Sequence, residues 1–351
     1  MTEFPSFSEY MELVHFAATS EDITNLSYAL MWQDASDKVV RPAIHDIAKD
    51  LDRKAGQYAD IPMLARTHGQ PATPTTLGKE MAVFAERLYK TNARLGRVAI
   101  EGKFNGASGN YNAASFAYPE INWQKVAREF VTNLGVRWNR VTTQIEPHDW
   151  MAVFCNELAL ANTVMTDVSA DMWSYISNGT FKLKVVEGEV GSSTMPHKVN
   201  PIDFENAEGN FSLANGTLGT LSDKLPVSRL QRDLRDSTIQ RATGTAFGHT
   251  LVGLKSLKKG MGKVDPDKER IHDELKGEWS ILTEAVQTVM RKHGVTGAYE
   301  AIKAASRGKA IGRKEYLSLV NDLEIPADDK KRLLELRPET YIGKAAEIAS
   351  V

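Results

Sequence analysis

Apolar side chains recur every three or four residues over three long stretches of this chain, and this spacing is the strongest constraint on its fold. Such a stripe places apolar groups on one face of an α-helix, where they pack against other helices. The three stripes are Leu77, Met81, Phe84, Leu88, Leu95 and Val98; Met151, Phe154, Leu158, Ala161, Met165, Val168 and Met172; and Phe247, Leu251, Leu254 and Leu257. They predict an all-α fold built on a bundle of long helices.

Local signals predict where some of the helices begin. Thr19 followed by Asp22 is typical of a helix N-cap, and the helix that follows is predicted to continue past residue 50 with a kink near Pro42. Thr73 followed by Pro74 is typical of a cap and a first helical residue, and predicts the start of the helix that carries the first stripe.

The rest of the chain is predicted to form loops, one short strand and a smaller C-terminal domain. Three stretches mix glycine or proline with polar residues and are predicted loops, namely 61–74, 102–119 and 187–201. The best strand pattern is 181–186. After about Gly260 the helical segments become shorter. We predict a remnant of an N-terminal domain at 1–8, a long-helix bundle at 9–261 and a helical C-terminal domain at 262–351.

Composition excludes several classes of protein. The 43 lysines and arginines nearly balance 45 acidic residues, so the formal net charge of −2 offers no basic surface for nucleic acid. The single cysteine, Cys155, cannot form an internal disulfide. No stretch approaches the roughly 18 apolar residues of a membrane-spanning helix. We therefore expect a cytoplasmic protein that binds neither membranes nor nucleic acid, and whose anionic ligands are held by a local cluster.

The segment 191–201, with the sequence GSSTMPHKVNP, contains the most informative polar residues. Lys198 and Asn200 offer a cation and an amide donor. Asn200, Pro201 and Asp203 in this order are typical of a helix N-cap, a first helical residue and an acidic first turn. A helix start of this kind favours a bound carboxylate or phosphate. The spacing alone is equally compatible with a capped loop that carries a solvated lysine.

This segment resembles the signature loop of the fumarase/aspartase superfamily. Three further blocks make the chain resemble the bacterial adenylosuccinate lyase family within it, and they are 19–25 (TSEDITN), 65–74 (ARTHGQPATP) and 144–149 (QIEPHD). The resemblance implies an all-α homotetramer with active sites shared between subunits. It also implies a carbon–nitrogen lyase of purine nucleotide synthesis, which releases fumarate from adenylosuccinate and from a related succinyl-carboxamide ribotide.

The resemblance also assigns roles to individual residues. An elimination of this type needs a base, an acid and donors for the developing negative charge. The family pattern makes Ser192 the base, with Ser193 as the alternative, and His68 the acid. The other residues that it places at the substrate are Thr19, Ser20, Gln144, Ser193, Lys198, Val199, Asn200, Asn206, Arg232, Ser237, Thr238 and Arg241. No metal or other cofactor is expected.

Some of these residues have a second interpretation. Thr19 and Ser20 are also suitable helix caps, and the arginine-rich run at 229–241 is also typical of a solvated helix face. Arg229 and Arg235 are left out of the predicted site for that reason. His148 is compatible with a supporting role or with a substrate contact.

The resemblance also leads to an expectation about the N-terminus, and two alternative functions remain beside the implied one. Only 18 residues precede Thr19, so we expect a family N-terminal domain to be lacking and the activity of this chain alone to be impaired. A fragment is the favoured explanation. Another lyase of the superfamily, such as argininosuccinate lyase, and a truncated, non-catalytic helical assembly protein are the alternatives.

Overall fold

The protein is described by a computed structural model, which covers residues 10–185, 195, 198–297, 302 and 311–350. Helices dominate this part of the chain. They are α1 (Ser20–Ala35), α2 (Arg41–Gln57), α3 (Leu77–Leu95), α4 (Asn112–Ala117), α5 (Trp123–Asn133), α6 (Asp149–Ser177), α7 (Ile202–Lys224), α8 (Arg235–Gln240), α9 (Thr243–Gly262), α10 (Lys268–Lys276), α11 (Thr283–Lys292), α12 (Arg313–Asn321), α13 (Ala327–Glu335) and α14 (Ala345–Ala349). The predicted all-α class and the long helices after Pro147 and before Gly262 are confirmed.

Among the described residues, six short strands form three separate pairs. They are β1 (Pro62–Thr67) with β2 (Gln70–Thr76), antiparallel; β3 (Glu101–Gly102) with β4 (Arg137–Trp138), parallel; and β5 (Phe181–Leu183) with β6 (Val264–Pro266), antiparallel. The strand predicted at 181–186 is therefore present only in its first half, as β5. The loop predicted at 61–74 was wrong, because this stretch forms most of the β1–β2 hairpin.

The predicted start of α3 was also wrong. Thr73 and Pro74 lie inside β2, and the helix begins at Leu77. Thr76 supplies the local cap, since its hydroxyl accepts the backbone N–H of Lys79 at 3.2 Å. Proline is tolerated in β2 because a two-stranded ribbon leaves one edge of each strand unpaired, where a missing N–H breaks no ladder bond.

The kink predicted near Pro42 takes the form of a π-helical turn. Residues Ser36–Val40 separate α1 from α2, and the N–H of Arg41 bonds to the carbonyl of Ser36, five residues back. Pro42 lacks the N–H that a regular helix needs there, and the wider turn accommodates its ring.

Residues group into two compact units, each made of three chain segments. The first contains the chain up to Asp46 with Leu88–Ser169 and Glu205–Lys258. Its core includes an aromatic cluster in which the Trp32 ring lies 5.2–5.4 Å from the rings of Trp150, Phe154 and Phe247, all edge to face. Aromatic pairs in this geometry stabilise the fold beyond the effect of the apolar area that they bury.

The second unit contains Ile47–Arg87, Ala170–Phe204 and the chain from Lys259 onwards. Its core joins Leu64 of β1 to the C-terminal helices through Leu275, Leu282, Val286, Tyr316, Val320 and Leu333. The domain limits predicted at residues 9 and 262 stay a prediction. Within the described ranges, no helix combines the length and the apolar character that crossing a membrane requires.

Candidate active site

Thr19 is the N-cap of α1, as predicted. Its backbone is extended, with φ −104° and ψ 161°, and its N–H donates to Asp22 Oδ2 at 2.9 Å. The backbone N–H of Asp22 in turn bonds to the Thr19 carbonyl at 3.0 Å. Ser20, the first helical residue, is exposed. A fixed helix start with an exposed serine is thus available for an anionic ligand.

Asp22 also holds the segment after β3 in place. Its Oδ1 lies 2.8 Å from Lys103 Nζ and accepts the backbone N–H of Asn105 at 2.9 Å. Both charged side chains are almost wholly buried. Burial lowers the pKa of Lys103, and the bond to Asp22 opposes this shift. Lys103 was not among the predicted site residues, because its burial depends on contacts with residues about 80 positions away.

Arg232 and Gln144, which the resemblance assigns to the substrate, are in contact. Arg232 Nη1 donates to Gln144 Oε1 at 3.2 Å and lies 3.0 Å from Glu21 Oε2. Gln144 Nε2 donates to the Ala107 carbonyl at 2.8 Å. Burial raises the pKa of Glu21, while Arg232 acts to lower it. Glu21 was not among the predicted site residues, although it belongs to the block at 19–25.

An open cavity of about 500 Å³ lies beside this arginine. The residues that line it are Gln144, Leu230, Gln231, Arg232, Asp233 and Leu234. Glu21 is 2% exposed and lies outside the lining, whereas the Arg232 side chain keeps 19% of its surface exposed. The guanidinium therefore has an acid on its interior side and the cavity on its other side, an arrangement that suits recognition of a phosphate or carboxylate.

His148 lies in the interior of the first unit, immediately before α6. Its imidazole is fully buried, with Nδ1 3.7 Å from Glu146 Oε2 and Nε2 3.6 Å from Asp236 Oδ2. Its backbone has a φ of +65°, which is uncommon outside glycine. These contacts with protein groups favour the supporting role of His148. Glu146 and Asp236 were missed in the sequence analysis.

The pKa values of Glu146 and Asp236 are shifted in opposite directions. Burial raises the pKa of Glu146, and His148 opposes that shift. Burial alone would raise the pKa of Asp236, but contacts with His148 and with the backbone N–H of Ser237 outweigh it and hold the pKa below its ordinary value. Asp236 is thus a charged partner for His148 at the start of α8.

The short helix α8 and the residue after it carry the other predicted nucleotide contacts. Ser237 is half-buried, whereas Thr238 and Arg241 are exposed. Asp233 binds Arg235 at 2.8 Å, and this hydrogen-bonded pair lowers the pKa of Asp233 to about 2. Arg235 is exposed and has a carboxylate partner, and its exclusion from the predicted site stays a prediction.

His68 occupies the turn of the β1–β2 hairpin in the second unit. Thr67 pairs with Gln70, so His68 and Gly69 form a two-residue loop with φ values of +54° and +74°. This is the pattern of a type I′ turn, in which the second position favours glycine and in which histidine is among the better tolerated side chains at positive φ. The imidazole is exposed at the tip.

The hairpin is anchored to the C-terminal part of the second unit by polar contacts. Arg66 pairs with Glu274 of α10 and donates to the Gly69 carbonyl at 3.2 Å. Glu284 accepts from the Thr73 hydroxyl at 3.1 Å and from the Tyr341 hydroxyl at 2.8 Å. These bonds fix both strands that lead to His68.

The signature loop at 191–201 is described only in part. Ser192, Ser193 and His197 lie outside the described residues. Lys198 and Val199 are exposed, and Asn200 is half-buried. The helix predicted here is present, but it begins at Ile202, one residue after Pro201, which was the predicted first helical residue. Asp203 in its first turn pairs with Lys263 at 2.6 Å.

Asn206, on the next turn of α7, belongs to the first unit. Its Nδ2 donates to the Ser256 hydroxyl of α9 at 2.9 Å. The structure thus brings together Gln144 and Arg232, and places the nearby α1 start and α8 in the same unit. His68 and Lys198 belong to the second unit.

Known proteins share this fold and are similar to this chain in sequence. Residues 6–215 match the family model described as a lyase, and residues 228–342 match the model described as the adenylosuccinate lyase C-terminal region. The solved structure of 3-carboxy-cis,cis-muconate lactonizing enzyme from Pseudomonas putida aligns with a TM-score of 0.78 at 23% identity, covering 99% of this chain and 78% of that one. Fold and family model together define a lyase of the fumarase/aspartase-like class.

Sequence comparison narrows the class to one family. Adenylosuccinate lyase of Escherichia coli is 48% identical over 345 residues, which are 98% of this chain and 76% of that protein. Adenylosuccinate lyase of Haemophilus influenzae is 48% identical over 337 residues, 96% of this chain and 74% of that protein. The chain belongs to the adenylosuccinate lyase family. The expectation that an N-terminal domain is lacking stays a prediction.

Proposed function

We propose that this chain catalyses the β-elimination of fumarate from adenylosuccinate, giving AMP, and the equivalent elimination from succinyl-aminoimidazole-carboxamide ribotide, in purine nucleotide synthesis. The observation that carries the proposal is the 48% identity, over 98% of the chain, to a relative named for the first reaction. An arginine on the wall of an open cavity, together with the polar start of α8, supports the anionic nucleotide as the ligand.

The proposed chemistry divides between two groups. Ser192 removes the proton beside a succinyl carboxylate, and His68 protonates the departing nitrogen. A free serine is a poor base, so this role requires positive charge and hydrogen-bond donors around its oxygen once substrate is bound. Lys198 and Asn200 supply such groups, with Ser193 and Val199 beside them, and bind the carboxylates of the succinyl part.

The nucleotide part is assigned to residues of the first unit. Arg232 and Arg241 neutralise the 5′-phosphate, and Ser237 with Thr238 supplies hydroxyl donors. Thr19, Ser20, Gln144 and Asn206 complete the proposed contacts. We further propose a cytoplasmic homotetramer with active sites shared between subunits, because family resemblance implies that assembly.

The proposal is tested by incubating the 351-residue chain with adenylosuccinate and following its conversion by ultraviolet absorbance, with AMP and fumarate identified by chromatography. Replacing Ser192 by Ala or His68 by Gln is expected to lower kcat by about a hundredfold or more, the usual contribution of a general acid or base. Ser318→Ala and His272→Gln are the matched controls, since both residues are exposed in the C-terminal helices. Turnover of argininosuccinate in place of adenylosuccinate would contradict the proposal, as would full activity of Ser192→Ala.

A further inference from the structure

We propose that Glu21 is a positioning residue, which holds the guanidinium of Arg232 in the orientation needed to bind the anionic part of the nucleotide. This inference rests on the proposed function and adds to it a residue that does not itself touch the substrate. Glu21 lies in the first turn of α1 and is almost completely buried. A buried carboxylate of this kind needs a specific partner, and Arg232 is the cation in contact with it.

The geometry leaves one side of the guanidinium available to a ligand. Nη1 is shared between Glu21 Oε2 at 3.0 Å and Gln144 Oε1 at 3.2 Å. A guanidinium has five N–H donors in one plane, so a phosphate can bind the remaining edge while Nη1 stays occupied. Arg232 lines the open cavity, and Glu21 does not. Glu21 therefore acts from behind the arginine.

Both acceptors are themselves fixed by other groups. The backbone of Glu21 precedes Asp22, which is held by Lys103 and by backbone N–H groups of the segment after β3. Gln144 is held by its bond to the Ala107 carbonyl. Within the part of the chain that the structure describes, Glu21 Oε1 has no hydrogen-bond partner, so Arg232 is the principal contact of this carboxylate. An arginine fixed before the ligand arrives loses less conformational entropy on binding.

The first test is Glu21→Gln, which keeps the shape of the side chain and an oxygen acceptor but removes the charge. We expect KM for adenylosuccinate to rise about tenfold, because a charge-assisted hydrogen bond that orients the arginine becomes a neutral one. We expect kcat to stay within about twofold of the parent value, because the bond is needed equally in the ground and transition states. The inhibition constant of AMP should rise in parallel. Glu157→Gln is the matched control, because it removes the partly exposed acid that pairs with Arg94 in the same unit.

A double-mutant cycle with Arg232→Ala separates positioning from a general structural role. If Glu21 acts through Arg232, then Glu21→Gln raises KM in the parent chain but has little further effect in the Arg232→Ala background. An equal rise in both backgrounds would overturn the inference, and so would an unchanged KM in the active parent chain. If Glu21→Gln does not yield folded protein, Glu21→Asp takes its place, with a smaller rise in KM and the same dependence on Arg232.

The parent chain separates failure of this inference from failure of the proposed function. A parent chain that does not turn over adenylosuccinate overturns the proposed function and this inference with it. An active parent chain whose Glu21→Gln variant behaves like Glu157→Gln overturns the inference alone.

Discussion

At the scale of single residues, the first unit is notable for charged side chains that are buried in pairs. Lys103 and Asp22 are 0% and 1% exposed and lie 2.8 Å apart. Besides Lys103, backbone N–H groups donate to the Asp22 carboxylate, so the negative charge of Asp22 is well compensated. Breaking such a pair is far more costly than replacing both partners, because the remaining charge stays buried without compensation.

Lys103→Met is therefore expected to lower the free energy of unfolding by about 3–5 kcal/mol. Urea denaturation followed by circular dichroism measures the change. Lys125→Met is the control, because that lysine is exposed and 3.9 Å from Glu129, and its loss is expected to cost less than about 1 kcal/mol. Adding Asp22→Asn to Lys103→Met should recover part of the lost stability. An equally stable Lys103→Met variant would contradict the view that the pair is buried.

Sequence reasoning at this scale identified residues with local signals and missed those whose role depends on distant contacts. The Thr19 cap was predicted because Asp22 lies three residues away, within one turn. Glu21 stands in the same block but reaches Arg232, more than 200 residues later in the chain. Both Glu21 and its neighbour Asp22 are buried, and no local pattern indicates which distant cation pairs with which acid, so that contact could be found only in the folded structure.

At the scale of secondary structure elements, long apolar periodicity was sufficient to predict the major helices, but the hairpin at 62–76 was not recognised. Its strands contain Pro62, Pro71 and Pro74, which are unusual in a sheet, and Thr73 followed by Pro74 is a good helix-start signal. The competing influence is strand pairing. The turn at His68 and Gly69 brings the two segments together, and Leu64 of β1 packs on the C-terminal core. Tertiary packing thus outweighed the local signal.

Asp329 in the first turn of α13 connects that helix to the end of α11. Its carboxylate lies 2.6 Å from Lys292 Nζ, 2.7 Å from His293 Nε2 and 3.0 Å from Arg332 Nη1. Hydrogen bonds from Lys292 and His293 lower the pKa of Asp329 to about 2. A carboxyl whose pKa is lower in the folded state stabilises the fold above its unfolded-state pKa of about 3.9, and loses this effect as the pH falls towards the folded value.

Asp329→Asn is accordingly expected to be less stable than the parent chain at pH 7, with a difference that shrinks as the pH falls below about 4. Chemical denaturation at pH 7, 5, 4 and 3 measures this difference. Asp328→Asn is a matched control, since Asp328 occupies the same first turn and interacts similarly with the helix dipole, but is exposed. A difference that is constant with pH, or the same for both variants, would contradict the proposed contact.

At the scale of the whole molecule, the sequence motifs were sufficient to predict the family, whereas the arrangement of the active site stays a proposal. His68 and Lys198 fall in one compact unit, and the residues proposed to bind the nucleotide, such as Gln144 and Arg232, fall in the other. In the proposed tetramer, each active site is shared between subunits. We therefore expect the acid His68 and the base Ser192 of one site to come from different chains. A site formed within one chain would receive both from the same copy.

Mixing two inactive variants distinguishes these arrangements. His68→Gln and Ser192→Ala chains are each expected to have almost no activity alone. If His68 and Ser192 of one site come from different subunits, then random mixed tetramers made by unfolding and refolding the two variants together contain about one intact site in four, and activity should approach about a quarter of the parent value. Refolding each variant separately and combining them afterwards, without exchange of subunits, is the control and should restore nothing. If both residues come from one chain, every site in the mixture lacks either its acid or its base, and the co-refolded sample would be as inactive as the control.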